Sequence, residues 1–323
     1  ALGIAPGDEM ITTPRTFIAS ASSAAIRGIR PVFADVDRDS GNVTPETVAR
    51  AITPKTRAVL AVHLAGWPCD VAGIREAVRG RDIAVIEDCA QAHGATVDGR
   101  PVGGLADAAA WSFCQDKIMT TGGEGGALTL NDEAAWRRAW SYKDHGKSYA
   151  AVYEREHAPG FRWLHESLGT NWRMTETQAA IGRAQLTKMS AWTAVRRRHW
   201  NSMRESLSGL DGVRVPAPEP ILGHAAYKFY AYVRPEALRP GWTRDRIMTL
   251  IADRGVPCFS GSCSEVYLEK AWDGLGVRPE APLPVARELG ETSLMFLVHP
   301  TLSEAAVARA GEIAREILTE ATR

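Results

Sequence analysis

The stretch RAVLAVHLAGWPCDVAGIREAVRGRDIAVIED (57–88) sets two apolar runs end to end with a helical pattern between them. RAVLAVHL (57–64) and DIAVIED (82–88) have strand length and stay apolar through their centres, as expected where both faces of a strand are buried. Asp70 to Gly80 spans the intervening helix. A strand, a helix of about ten residues and a second strand form a crossover unit, which predicts parallel strands.

The same alternation extends both ways. Upstream lie EMITT (9–13), a helical pattern from Phe17 to Gly28, PVFADV (31–36) and a helix opened by Thr44-Pro45-Glu46. Downstream lie AAAWSF (108–113), GALTL (126–130) and a helix from Asp132 to about Tyr142. The first half therefore reads as an α/β fold with a largely parallel sheet covered on both faces, and ligands bind such sheets beyond the carboxyl ends of the strands. Thr175 to about Ser208 is long and helix-favouring, and suggests a connector. After it, YKFYAYVRP alternates as a strand, and TRDRIMTLIADRG and LSEAAVARAGEIAREILTEA read as capped helices. This predicts a large domain over 1–195 and a smaller α+β domain over 196–323. The opening ALGIAPGDEMI reads as a helix end, a turn at Pro6-Gly7-Asp8 and a strand, which predicts a further segment before it.

The 323 residues carry 38 Lys+Arg and 38 Asp+Glu, a net charge of zero. That balance disfavours nucleic acid or an anionic membrane as main partner. With 45% apolar and 24% charged residues, no spanning apolar run and no signal-like start, the chain reads as soluble and cytoplasmic. Five dispersed cysteines, without a C-x-x-C pair, argue against a disulfide framework and against a metal site. Cys258 and Cys263 have no nearby His to support one.

Two residues hold the chemical interest. Asp88 ends a buried strand, where an aspartate is commonly a cap or turn residue and otherwise a carboxylate placed to pair with a cation such as a protonated pyridine nitrogen. Gln91 and His93 follow within reach of the same cleft. Lys117, in WSFCQDKIMTTGGEGGALTL, lies between two strands and just before a glycine-rich turn. Most lysines are solvated surface groups. A buried one has the chemistry of a Schiff-base amine. The glycines match neither a P-loop nor a dinucleotide fingerprint, and serve either close approach to a ligand or tight turn geometry between strands.

Four ordered blocks, PGDEMITTPRTFIASASSAAIRGIRPVFADVD, VIEDCAQAHGA, WSFCQDKIMTTGGEGGALTLND and GTNWRMTETQAAIGRAQL, resemble the DegT/StrS family of pyridoxal-phosphate-dependent sugar aminotransferases. The resemblance implies fold type I, the aspartate-aminotransferase-like architecture, with a mostly parallel seven-stranded sheet and a small α+β C-terminal domain. It assigns the catalytic amine to Lys117. It assigns cofactor contacts to Phe17 (ring stacking), Asp88 (pyridine nitrogen), Gln91 (phenolic oxygen), Ser112 (phosphate) and Asn171, which reaches the neighbouring subunit's cofactor. The last role implies a homodimer with shared active sites.

Relatives that act as dehydratases carry histidine at the Lys117 position, so the chain looks like a transaminase. Glutamate is the donor implied, and a nucleotide-linked keto-sugar the acceptor, with C4 favoured over C3 by the TTGGEGG turn. Three features depart from the family. About fifty residues, with a phosphate-binding Gly-Thr pair, precede this starting point in relatives. Cys114 replaces histidine and reads as a packed small hydrophobe. GVPCFSGSCSEVYLEKAW (255–272) lacks a His-Tyr-Pro pattern, which admits a cyclitol or other cyclic ketone as acceptor. A non-catalytic sugar-nucleotide-binding protein is the rival outside enzymes, and Lys117 with Asp88 speaks against it. His63 and Trp67 border the cleft or pack. Arg196-Arg197-Arg198-His199 reads as a solvated helix face.

Overall fold

The computed structural model describes residues 1–157, 159–160 and 162–322; positions 158, 161 and 323 lie outside the described residues. Crossover units open the chain: β1 (Glu9–Thr12), α1 (Ala19–Ala25), β2 (Arg30–Phe33), α2 (Pro45–Ala51), β3 (Thr56–Val62), α3 (Val71–Ala77) and β4 (Ala84–Asp88). A hairpin of two-residue strands, β5 (Thr96–Val97) and β6 (Arg100–Pro101), precedes β7 (Ala108–Ser112), β8 (Gly126–Leu130) and α4 (Glu133–Lys143). The expected turn at Pro6-Gly7 forms, closed by Asp8 N–H donating to Ala5 O at 3.1 Å, but residues 1–5 are irregular rather than a helix end.

The sheet order is β2-β1-β3-β4-β7-β8, parallel throughout except for the β7–β8 pair. The mostly parallel sheet is as expected, with six strands among the described residues where the family suggested seven. The chain supplies six runs long enough for it, while β5 and β6 join a separate small sheet. Burial follows position. All of β1 is buried and β3 nearly so, whereas β8, at the edge, is largely exposed. Helix starts are fixed locally: Thr44 and Thr47 make a reciprocal capping box before α2, Asp70 accepts from Gly73 N–H for α3, and Asp132 accepts from Ala135 N–H for α4.

The second half adds α5 (Tyr149–Tyr153), α6 (Glu176–Leu186) and α7 (Met189–Leu207). The single connector expected over 175–208 is thus two helices. Thr187 Oγ1 bonds back to Ala184 O at 2.9 Å at the break, a competition with the helix ladder that hydroxyl residues favour. Then follow β9 (Val213–Arg214), β10 (Leu222–Gly223), β11 (Lys228–Val233), α8 (Arg244–Asp253), β12 (Cys258–Phe259), α9 (Pro284–Thr292), β13 (Ser293–Leu297) and α10 (Glu304–Thr322).

Strands β12-β13-β11-β9 form an antiparallel sheet. It shares a core with α7, α8 and α10 through Trp200, Met203, Phe229, Ile251, Phe296 and Ile313. A second core joins Ile11, Val59 and Val85 of the large sheet to Tyr232, Ala286 and Leu289 of the C-terminal part. The 195/196 boundary falls inside α7, and we keep the two-domain division as a proposal. No helix among the described residues is long and apolar enough to cross a membrane.

Candidate active site

Adjacent strand ends bring most of the candidate residues to one edge of the sheet. Asp88 closes β4, level with Val62 of β3 and Ala110 of β7. Ser112 ends β7, and Lys117 sits in the turn beyond it, its N–H bonded to Cys114 O at 3.1 Å. Phe17 stands between β1 and α1, 70% exposed.

Asp88 is held from two sides. Ser20 Oγ donates to Oδ2 at 2.8 Å and Ala90 N–H donates to Oδ1 at 3.1 Å, while Ser20 Oγ also lies 2.8 Å from Thr16 Oγ1. A carboxylate offers about four lone-pair sites, so capacity is left for a cationic N–H. Gln91 Oε1 accepts from Ala65 N–H at 2.7 Å. The turn that presents this N–H is tight: Ala65 has φ 55°, and a Cβ on Gly66 (φ 89°) would stand 2.7 Å from Ala225 Cβ. Gln91's amide NH2 keeps no protein partner among the described residues. Ser112 Oγ accepts from Cys114 N–H at 3.3 Å and has its own proton to donate.

Lys117 Nζ lies 3.5 Å from Asp116 Oδ1 and 5.6 Å from the centroid of the Tyr227 ring, and its side chain is 16% exposed. Tyr227 Oη donates to Asp116 Oδ2 at 2.8 Å, and Tyr227 N–H donates to Ala65 O at 3.0 Å. One chain of contacts therefore runs from Lys117 through Asp116, Tyr227 and Ala65 to Gln91. Burial alone would push the Asp116 carboxyl up, but the Tyr227 hydroxyl and the Lys117 charge outweigh it and hold the group below its ordinary range. His93 forms part of the wall beside Trp111 and Phe113, and burial followed by the Lys117 charge lowers its pKa to about 4, so the ring is neutral.

Asn171 is placed apart. It bridges to Asp144, its Oδ1 accepts Arg173 N–H at 3.3 Å, and it joins none of these bonds. The glycine-rich turn packs on α6: Gln178 Nε2 donates to Glu124 O at 2.6 Å, and a Cβ on Gly122 would meet Ile181 at 2.9 Å. Close packing thus accounts for Gly122.

Pyridoxal phosphate fits this donor set. A carboxylate with spare acceptor sites suits a pyridine N–H, an amide with two free donors suits the phenolic oxygen, a hydroxyl suits the phosphate, and a primary amine lies beyond the neighbouring strand's end. A metal does not fit the one cluster of ligand types among the described residues, His63, Glu87 and Cys89, whose ligand atoms lie within 4.8 Å of one another. Cys69 N–H donates to His63 Nδ1 at 2.9 Å, which puts the ring proton on Nε2, and Nε2 donates to Glu87 Oε2 at 3.1 Å. Both ring nitrogens are used. Glu87 also accepts from the N–H groups of Gly103, Leu105 and Ala106.

Several readings need correction. Of the two readings offered for His63, packing is the one its full burial supports. Arg196 and His199 are buried and Arg197 bonds to His224 O, which leaves Arg198 as the solvated member of that run. Cys114 is half-buried with Sγ 3.4 Å from Glu124 Oε1, and is not a core hydrophobe. Sequence reasoning missed Ser20, Asp116 and Tyr227. Asp116 was visible beside Lys117 and Ser20 three residues after Phe17, but Tyr227 arrives from 110 residues downstream of Lys117 with no local signal.

Residues 1–314 match the family described as DegT/DnrJ/EryC1/StrS aminotransferases. The chain is 35% identical over 314 residues to GDP-perosamine synthase of Caulobacter vibrioides, covering 96% of this chain and 79% of that protein. It is 32% identical over 315 residues to dTDP-3-amino-3,4,6-trideoxy-alpha-D-glucose transaminase of Streptomyces venezuelae, covering 98% and 78%. Among solved structures, an aminotransferase from Psychrobacter cryohalolentis is 56% identical and superposes with a TM-score of 0.97 over 100% of this chain and 84% of that one.

Proposed function

The chain belongs to the DegT/DnrJ/EryC1/StrS aminotransferase family, a family of fold-type-I enzymes, and from that premise we propose its reaction. It moves an amino group from glutamate to a nucleotide-linked keto-sugar, at C4 in preference to C3, with pyridoxal 5′-phosphate as cofactor. The observation that carries this reading is the juxtaposition of Asp88 and Lys117 beyond adjacent strand ends, each oriented by a neighbour of its own.

When bound, the cofactor supplies an electron sink for the charge developed at the donor's α-carbon. Asp88, anchored by Ser20, holds the proton on the pyridine nitrogen. Gln91 Nε2 would hold the phenolic oxygen, Ser112 Oγ would hold the phosphate, and the Phe17 ring would flank the heterocycle. Lys117 Nζ takes the proton from the donor's α-carbon in the first half of the cycle and returns it on the acceptor side in the second. Asp116 receives the displaced amine and keeps it within reach. Asn171 contributes across a homodimer interface to the neighbouring site, and the enzyme works in the cytoplasm.

The test is direct. The purified protein, supplied with pyridoxal phosphate and glutamate, is offered nucleotide-linked 3-keto and 4-keto sugars, with products identified by mass and NMR. A 4-amino sugar with stoichiometric 2-oxoglutarate is expected. Exclusive 3-amination would overturn the positional choice, and no 2-oxoglutarate with any acceptor would overturn the reaction.

A further inference from the structure

Arg15, in the loop after β1, is fully buried. Its Nη1 donates to Ser264 Oγ, while Nε and Nη2 have no hydrogen-bond partner among the described residues. No carboxylate among the described residues lies within ion-pair distance of it. The rings of Tyr230 and Tyr232 stand 5.2 and 5.9 Å from Cζ and offset part of the charge, but they satisfy neither N–H. A guanidinium stays ionised at any working pH, and a buried one without an acid is among the costliest arrangements a fold can hold.

The unused donors point to what belongs there. Nε and Nη2 share one edge of the planar fork, the edge that grips both oxygens of a carboxylate in parallel. Ser264 occupies the remaining nitrogen. Beside Nε lies Gly41, at φ +70°, where an added Cβ would stand 3.4 Å from that atom and 3.0 Å from Leu64 Cδ2, so the residue stays small at this point.

The position is next to the cofactor cleft. Arg15 precedes Thr16, whose hydroxyl meets Ser20, the anchor of Asp88. The C-terminal segment that departs from the family pattern is stitched to the same loop. Thr16 N–H donates to Cys263 O at 3.1 Å, Val266 N–H to Pro14 O at 3.0 Å, and Ser262 N–H to Tyr230 Oη at 2.9 Å. The 262–266 part of that segment therefore lies against a buried cation that has no carboxylate within ion-pair distance among the described residues.

We propose that Arg15 is the carboxylate-binding residue of the substrate site, taking a substrate carboxylate through Nε and Nη2 in exchange for its neutral contacts. The proposal rests on the aminotransferase reading. The carboxylate comes from the amino donor or from an acid group on the acceptor, a uronate.

Calorimetric titration of the holoenzyme with glutarate and with glucuronate separates the two sources, since each probe carries one source's carboxylate and neither can react. Binding of glutarate, lost in Arg15→Met and weakened about tenfold or more in Arg15→Lys, supports the donor source, with the KM for glutamate rising while kcat changes little. The same pattern for glucuronate supports the acceptor source. If the wild type binds neither probe, the proposal is overturned without recourse to a variant. Folded Arg15→Lys with unchanged probe binding and unchanged KM for donor and acceptor overturns it too, and leaves aminotransfer intact. Failure of the wild type to transfer an amino group sinks the underlying reaction instead, and the titrations still decide whether Arg15 binds a carboxylate.

Discussion

Tyr227 Oη donates a 2.8 Å hydrogen bond to one oxygen of Asp116 whose other oxygen stands 3.5 Å from Lys117 Nζ. A residue from just before β11 thereby fixes the acid that holds the amine of the first half. The Asp116 carboxyl sits below its ordinary range despite burial, so its favourable contribution is present above the ordinary carboxylate pKa and is lost as pH falls through the lowered one. Tyr227→Phe removes the donor and raises that pKa. The acid limb of the aminotransfer pH profile should move to higher pH, with a loss of about tenfold or less at neutrality. An unshifted limb would show that Asp116 does not orient Lys117.

Among the described residues, Ser20 supplies the one side-chain hydrogen bond to Asp88. Bonds to charged groups contribute roughly 1.5–3 kcal/mol. Ser20→Ala should weaken pyridoxal phosphate binding by about tenfold or more, measured by titrating cofactor into the stripped protein, while Tm falls only slightly.

Glu87 is fully buried and accepts from His63 and three backbone N–H groups. Burial would push its carboxyl up, and these donors reverse that and hold it low. Glu87→Gln turns an amide NH2 toward donors and should cost roughly 3–5 kcal/mol, read by denaturant unfolding. A chelator should leave the Tm of the wild type unchanged, because the bonds around His63 leave it no lone pair for a metal.

His93 and His224 are both held neutral. Burial and then Lys117 lower His93 to about 4, and burial and then Arg197 lower His224 to about 3, from an ordinary value of 6.5. Below that ordinary value the unfolded chain binds protons that the fold refuses, so stability falls as pH drops toward the lowered values. His93→Gln should show a smaller fall in Tm between about pH 7 and about pH 5 than the wild type. Equal falls would place the acid sensitivity elsewhere.

Much of this was legible in the chain because local rules carried it. The apolar runs of β3 and β4, the Thr44 cap and the Asp132 cap follow from period and capping chemistry, which tertiary contacts did not override. Asp88 and Lys117 were found because strand ends are where such sheets bind ligands, whereas Ser112 came from the family resemblance. What stayed hidden depends on long-range packing. Arg196 and His199 look like a charged face until α7 is laid against β11, and Tyr227 belongs to the site only because its backbone pairs with Ala65. Likewise Arg15 reads as one more surface arginine until Tyr230, Tyr232 and Ser264 close over it.

The central claim, that Lys117 is the amine through which cofactor and amino group pass, is tested by the visible absorbance of the purified protein with pyridoxal phosphate, before and after glutamate, beside Lys117→Ala. The account predicts a visible band from the lysine-linked cofactor in the wild type, bleached by glutamate with release of 2-oxoglutarate, and no such band in the variant. No band in the wild type after cofactor is added, or a band that persists and bleaches alike in Lys117→Ala, would contradict it.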